Sequence, residues 1–237
     1  MTQRMYLWGL SLLPNIGSIS IKRLAQYFGC YEKAFRASGA SFQAVAGLRP
    51  SQASRVLAFR DEMDLTAKWN KMHSIKSGGL VTWLDTSYPT RLKEIHDPPP
   101  VLYYQGSIDC LEKPAIAIVG RRRASPRGIA WARQIAGDLA SAGITIVSGL
   151  ALGIDTFAHK GALTQGYTAA VLGTGLDVVY PRSNTQLAQD ICQQGVLVTP
   201  FYKGTPPLKG NFPARNRIIS GLSLGVIIIE AGEKSGS

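Results

Sequence analysis

The segment Pro114–Gly128, PAIAIVGRRRASPRG, begins with a short apolar run and ends in a basic loop flanked by glycines. Ala115–Val119 contains only small and branched apolar residues, which is typical of a strand buried on both faces. Arg127–Ala142 then carries apolar residues at helical spacing and predicts an amphipathic helix. A buried strand that leads through a small-residue loop into a helix is the repeating unit of a parallel α/β sheet.

The same alternation of strand and helix continues to the end of the chain. Four more short apolar runs have strand length, at Ile144–Val147, Thr168–Leu172, Val196–Thr199 and Leu224–Glu230. Helical spacing covers Asp155–Thr164, with Asp155 as the expected cap, and Thr185–Gln194. Continuous β-branched runs joined by helices indicate a sheet covered on both faces. We therefore predict an α/β fold over residues 76–237, a Rossmann-like, doubly wound and mostly parallel sheet.

Residues 1–75 follow a different pattern and predict a small all-helical domain. A glycine-containing turn at Leu12–Gly17 precedes apolar residues at helical spacing, and Gly29 is the expected stop of that helix. Val45–Pro50 begins a weaker copy of this pattern, and a longer helix is expected from Asp61 to about Ser77. The paired turns are similar to helix-hairpin-helix units, which bind nucleic acid through backbone amides, but a bundle used only for packing or protein contacts fits them equally well.

Composition limits the class of protein. The chain has 237 residues, 45% of them hydrophobic, which suits a packed core, and no apolar run approaches the ~18 residues of a transmembrane helix. Three widely spaced cysteines indicate neither a disulfide framework nor a zinc site, so a reducing cytoplasm is the expected location.

The excess and the distribution of positive charge indicate the class of binding partner. Against 15 acidic residues stand 26 lysines and arginines, for a net charge of +11. Gly120–Gly128 and Thr199–Ser220 each contain four basic residues and no acidic one. Such clusters favour a polyanion, nucleic acid first, over a basic surface that serves only solubility, where the two signs are interspersed.

Small-residue loops follow three of the predicted strands, where parallel sheets bind their ligands. Their residues of interest are Gly120, Arg121 and Arg122 after the first strand, Ser148, Gly149 and Gly153 after the second, and Gly173 and Gly175 after the third. None has the G-x-G-x-x-G spacing of dinucleotide sites or a Walker A pattern, so NAD and ATP are disfavoured. A row of loops with free backbone amides, aligned on one edge, instead indicates binding of a chain of phosphates.

Four motifs, in order along the chain, resemble the DNA-processing protein DprA (Smf) family. They are Ile118–Arg122, Ser148–His159, Leu172–Pro181 and Phe212–Ser223, and the match runs from about Thr82 to the last residue. The resemblance implies a cytoplasmic homodimer without a cofactor, which binds single-stranded DNA during natural transformation, protects it and loads the recombinase RecA onto it. The family usually has serine at the position of Arg121, and it continues beyond Ser237, so the second domain is expected to be incomplete at its C-terminus.

The resemblance and the charge pattern together nominate DNA-binding residues. They are Gly120, Arg121, Arg122, Ser148, Gly149, Lys203, Lys209, Phe212, Arg215, Asn216 and Arg217. Some of these have a structural alternative: the arginines could pair with Asp155 or Glu230, Phe212 could pack in the core, and Asn216 could hold its loop. Gly153, Asp155, His159, Gly173 and Gly175 are expected to shape the loops.

Catalysis is not indicated by the sequence. Asp155 and His159 stand four residues apart on one helix face, as an acid–base pair would, but a helix cap and a buried histidine that fixes the neighbouring loops explain them better. Neither a catalytic triad nor a metal-ligand pattern is evident, and His73 and His96 have no partners at ligand spacing. We predict neither enzyme activity nor a metal site. The alternatives are an enzyme acting on nucleoside monophosphates and a duplex binder that uses the helical leader.

Overall fold

The computed structural model describes residues 2–73 and 78–232, with only the backbone of His73. The chain forms two compact units, Met1–Thr86 with His96–Val101, and Ser87–Ile95 with Leu102–Ser237. The division into domains at residues 75 and 76 stays a prediction. Among the described residues, none of the helices combines the length and the apolar character needed to cross a membrane.

The first unit is built from helices that bury a shared apolar core. Its elements are α1 (Gln3–Leu12), α2 (Ser18–Phe28), α3 (Tyr31–Arg36), α4 (Gly39–Ala46), α5 (Pro50–Asp61), α6 (Leu65–His73) and the strand β1 (Gly78–Thr82). Leu7, Trp8, Leu24 and Phe42 are fully buried. Gly29 ends α2 with a φ of 82°, a left-handed conformation that suits glycine, and this confirms the predicted stop.

The prediction of one long helix from Asp61 to about Ser77 is wrong for its first residues. α5 ends at Asp61 and a new helix begins at Leu65. The reason is Asp64, whose side-chain Oδ1 accepts a 2.9 Å hydrogen bond from the amide of Ala67 and thereby caps a new helix start. Residues 74–77, where the expected helix would end, lie outside the described part of the chain.

The second unit contains a sheet with helices on its faces. Its elements are α7 (Thr90–Lys93), β2 (Val101–Gly106), β3 (Ala115–Gly120), α8 (Pro126–Ser141), β4 (Thr145–Ser148), α9 (Ile154–Ala162), β5 (Thr168–Val171), α10 (Thr185–Gln194), β6 (Val196–Thr199), α11 (Asn211–Gly221) and β7 (Gly225–Ile229). The strands lie in the order β2-β6-β5-β4-β3-β7. Only the β2–β6 pair is antiparallel among the pairs within this set. The predicted α/β, mostly parallel sheet preceded by a helical region is confirmed.

Small residues let the helices approach the sheet and one another. Ala132, Ala136 and Ala140 form the buried face of α8 and pack with Ile118 and Ile146 of the sheet. Burial of such apolar surface is the main stabilising contribution to the fold, about 25 cal/mol per Å². The packing leaves the carboxyl ends of β3, β4 and β5 and their loops at one edge of the sheet.

One segment expected to be a loop is a helix. The stretch after Gly210 is α11, and it buries Ile218 and Ile219 on one side. Pro213 fits this helix, because proline is tolerated in the first turn, where the missing amide would have no partner. As a result, Phe212, Arg215 and Asn216 are held on a rigid element.

Candidate functional site

A cleft of about 520 Å³ opens at the edge of the sheet formed by the carboxyl ends of its parallel strands. The loop between β3 and α8 supplies one side through Gly120, Arg121 and Arg122, and α11 supplies another through Phe212 and Asn216. The cleft therefore joins two segments that are about ninety residues apart in the sequence. With Arg215, it brings together six of the DNA-binding residues nominated from the sequence.

An aromatic ring with an arginine above it marks the mouth of the cleft. The guanidinium carbon of Arg122 lies 5.8 Å from the ring centre of Phe212, within the range of a cation–π interaction. The ring of Tyr180 lies 5.9 Å from that of Phe212 on another side, and Tyr180 is 45% exposed. Gly173 makes room for the ring, because a Cβ atom there would lie 2.9 Å from Phe212. Phe212 thus stays half-buried, with part of its surface open to a ligand.

The backbone of the arginine loop is fixed at both ends. The amide of Arg121 donates to Ile229 over 3.3 Å, and the carbonyl of Arg121 accepts from Ile154 over 3.2 Å. At the other end, the amide of Ser125 donates to Glu230 over 2.8 Å, and the hydroxyl of Ser125 donates to the same carboxylate. These hydrogen bonds from Ser125 lower the pKa of Glu230. Glu230 therefore holds the loop through Ser125, and the charge of Arg121 adds to the lowering of its pKa, while the side chains of Arg121 and Arg122 stay exposed.

Arg215 reaches the cleft from its buried side. The side chain is almost completely enclosed, and its Nη1 donates to the carbonyl of Gly149 over 2.6 Å and to the carbonyl of Val171. Burial lowers the pKa of Arg215, and the nearby carboxylate of Asp155 opposes that shift. In this position the guanidinium joins α11 to the carboxyl ends of β4 and β5.

Asp155 is not the cap of its own helix, contrary to the sequence prediction. Gly153 occupies the N-cap position, and Asp155 is the second residue of α9, within its first turn. Its Oδ2 accepts from the amides of Gly149 over 3.1 Å and Ala151 over 3.4 Å, so it shapes the preceding loop. Burial raises the pKa of Asp155, whereas the charge of Arg215 and these hydrogen bonds lower it.

His159 lies in the core, and its hydrogen-bond partner differs from the partners of Asp155. Its Nδ1 is 2.7 Å from the hydroxyl of Thr168, which itself donates to the carbonyl of Ile146, so Nδ1 carries the proton that is donated. Burial lowers the pKa of His159 to about 3, with a smaller contribution from Arg215. The imidazole is therefore neutral near pH 7, and within the described residues it forms no acid–base pair with Asp155.

The other nominated residues take different positions. Lys203 and Lys209 are exposed on the segment that leads to α11, outside the lining of the cleft. Ser148 is buried and its hydroxyl donates to the carbonyl of Ile118 over 2.6 Å, which makes it an internal residue. Arg217 lies on another side of α11, half-buried, where its Nε donates to the carbonyl of Ala214 over 3.1 Å.

Two contributors were missed by sequence reasoning. Tyr180 had not been nominated, although it stands in the third motif, and the turn before a proline could have drawn attention to it. Asn184 is also buried, and its amide donates to the carbonyl of Leu150 and the hydroxyl of Thr156, each over 2.9 Å. In residues 2–73 and 78–232, no group of three His, Cys, Asp or Glu side chains could hold a metal ion.

Comparison with known proteins identifies similar chains. The family model described as DNA recombination-mediator protein A matches residues 79–237. Protein Smf of Synechocystis sp. is 40% identical over 241 residues, which cover 100% of this chain and 60% of that protein. The chain spans between about half and three fifths of the length of the curated relatives it matches first.

Two solved structures are similar in fold and sequence. The X-ray structure of DNA processing protein A (DprA) from Streptococcus pneumoniae has a TM-score of 0.83 and 36% identity, over 100% of this chain and 81% of the other. A structure of DNA processing protein A from Helicobacter pylori, described for its single-stranded DNA binding mode, has a TM-score of 0.61 and 38% identity. It covers 66% of this chain and 72% of the other.

Proposed function

Because this chain belongs to the DNA recombination-mediator protein A family, we propose that it binds single-stranded DNA in the cleft between the β3–α8 loop and α11. The observation that supports this most directly is the exposed Arg122 within cation–π distance of the half-buried Phe212. Single-strand binders combine a basic groove for the phosphates with aromatic rings for the bases, and each stacked base contributes about 1–3 kcal/mol.

The proposed roles follow from exposure. Arg121 and Arg122 contact phosphates, since their side chains are exposed on a loop whose backbone is already held. Phe212 and Tyr180 offer ring surface to a base, and the exposed Asn216 lines the same cleft as Phe212. Lys203, Lys209 and Arg217 extend the positive charge beyond the cleft. Arg215 acts as a positioning residue, because its Nη1 is engaged inside the fold by backbone carbonyls.

We also propose that the chain does not catalyse a reaction on nucleotides. Asp155 is the acidic side chain that lines the cleft, and its carboxylate is engaged by backbone amides. Purified chain incubated with nucleoside monophosphates is expected to release neither base nor phosphate, as followed by chromatography. Release that is lost in Asp155→Asn would instead support the enzyme acting on nucleoside monophosphates.

Further roles are proposed from the family. They are protection of incoming DNA in natural transformation, loading of RecA, homodimer formation and a cytoplasmic location; the description of the family as a recombination mediator supports the loading of RecA. RecA loading is tested by following RecA assembly on labelled single strands with and without the chain. Arg122→Ala, which is expected to weaken DNA binding, should remove any acceleration.

A titration tests the central proposal. Labelled oligothymidylate and a duplex of equal length are titrated with the chain at two salt concentrations, and binding is read by fluorescence anisotropy. Single strands should bind several-fold more tightly, because a cleft admits unstacked bases. Their affinity should fall with salt, with a log–log slope of about 0.7 for each neutralised phosphate. Equal affinity for the duplex, or an affinity independent of salt, contradicts the proposal.

A further inference from the structure

An exposed tryptophan with a stacked arginine lies just beyond the arginine loop. Trp131 on α8 is 47% exposed, and the guanidinium carbon of Arg127 lies 4.4 Å from its ring centre. Trp8 and Trp83 are 0% and 6% exposed and Trp69 is partly buried, so Trp131 is the most exposed of the four tryptophans and lies outside the core. The pair repeats the combination of arginine and aromatic ring found with Arg122 and Phe212 in the cleft.

The pair is continuous with the cleft along the chain. Arg127 follows Arg122 by five positions in the chain, so their Cα atoms lie at most about 18 Å apart. One helical turn, about 6 Å, then separates Arg127 from Trp131. Arg123 and Arg127 are exposed in between, and α8 has no acidic residue in its first turn. A series of exposed arginines therefore leads from the cleft to the tryptophan, past the carboxylate of Glu230, which is bound to Ser125.

We propose that Trp131 and Arg127 form a second stacking site for single-stranded DNA, occupied by a base a few nucleotides away from the one at Phe212. This inference rests on the proposed function, because it extends the same strand beyond the cleft. The indole presents a flat apolar face to a base, and Arg127 contacts the adjoining phosphate. Because the loop backbone is held by Ile229, Ile154 and Glu230, the distance between the two stacking sites is set by the fold.

The fold supplies a matched control. The ammonium of Lys113 lies 3.8 Å from the ring centre of Tyr167, and Tyr167 is 41% exposed. This pair has the same chemistry, but it precedes β3 and β5 and therefore lies at the opposite edge of the sheet. Tyr167→Leu removes an exposed stacked ring without touching the proposed path.

The experiment compares a short oligothymidylate, about 4 nucleotides, with one of about 16, which bracket the usual site sizes of a single-strand binding fold. Trp131→Leu should weaken binding of the long strand by about fivefold or more and leave the short strand unchanged. Trp131→Phe, which keeps a ring, should restore most of the affinity. The long strand should also quench the tryptophan fluorescence of the wild-type chain, and Trp131→Phe should lose most of that quenching.

The outcomes separate this inference from the proposed function. If Phe212→Leu weakens both strands while Trp131→Leu behaves as the wild type, the second site does not exist and the cleft remains. Equal losses in Trp131→Leu and Tyr167→Leu, or a change of oligomeric state in Trp131→Leu with unchanged affinity, also overturn the second site. Failure of the wild-type chain to bind either strand refutes the proposed function and this inference together.

Discussion

Replacement of Arg122 by alanine tests the assignment of the cleft most directly. The side chain is exposed, and its described partner is the ring of Phe212, 5.8 Å away. An exposed cation–π contact contributes about 0.5–1 kcal/mol, so the stability of the fold should change little. A charge-assisted contact to phosphate contributes about 1.5–3 kcal/mol, which corresponds to a loss of roughly tenfold to a hundredfold in affinity for single-stranded DNA.

Two readouts distinguish a lost contact from a damaged protein. Anisotropy titrations over a range of salt concentrations should give a log–log slope lower by about 0.7, the value for one phosphate on a single strand. Urea unfolding should give an unchanged midpoint. Arg55→Ala is the control, because Arg55 is an exposed arginine on α5 of the helical leader. If Arg55→Ala loses affinity and Arg122→Ala retains it, the binding site belongs to the leader and the assignment to the cleft is wrong.

Three further variants probe the ring, the buried arginine and the buried histidine. Phe212→Leu should lower single-strand affinity by about 1–3 kcal/mol with an unchanged salt slope, since a stacking contact carries no charge; a changed slope contradicts this. Arg215→Met should lower the free energy of unfolding in urea by about 3 kcal/mol, because it leaves the buried carboxylate of Asp155 without its neighbouring charge; an unchanged midpoint argues against a positioning role. The folded pKa of His159, about 3, lies below its unfolded value of 6.5, so its stabilising contribution is complete above pH 6.5 and is lost as the pH falls towards 3. Over that window wild-type stability should fall more steeply than that of His159→Gln, by up to about 1.4 kcal/mol per pH unit, and parallel curves would exclude the effect.

The pattern of neighbouring residues was enough to predict most strands of the sheet. Val196–Thr199 and Thr185–Gln194 have the same bounds in the structure as in the sequence prediction, because strand and helix periodicity are properties of a few neighbouring residues. The same local reasoning failed between Asp61 and Leu65, where one capping carboxylate starts a new helix. It failed again at α11, whose residues were expected to form a loop between the last two strands.

The roles of the charged side chains depended on distant contacts. Ser125 and Glu230 are 105 residues apart and meet only because β7 pairs with β3. Arg215 looked equivalent to Arg217 in the sequence, yet the first is buried under the cleft and the second lies on another side of α11. No local pattern distinguishes them, since burial is decided by which elements pack against the helix.

The sequence by itself determined the alternation of strands and helices, the clusters of positive charge and the order of motifs that identifies the family. These features lie within short segments, and hydrophobic period and charge can be read there without knowing the fold. Only the tertiary structure decided that Arg122 and Phe212 face each other across one cleft, that Asp155 serves the preceding loop, and that Trp131 is exposed next to Arg127. Packing of the helices on the sheet sets these positions, because it joins residues far apart in the chain and selects which side chains water can reach.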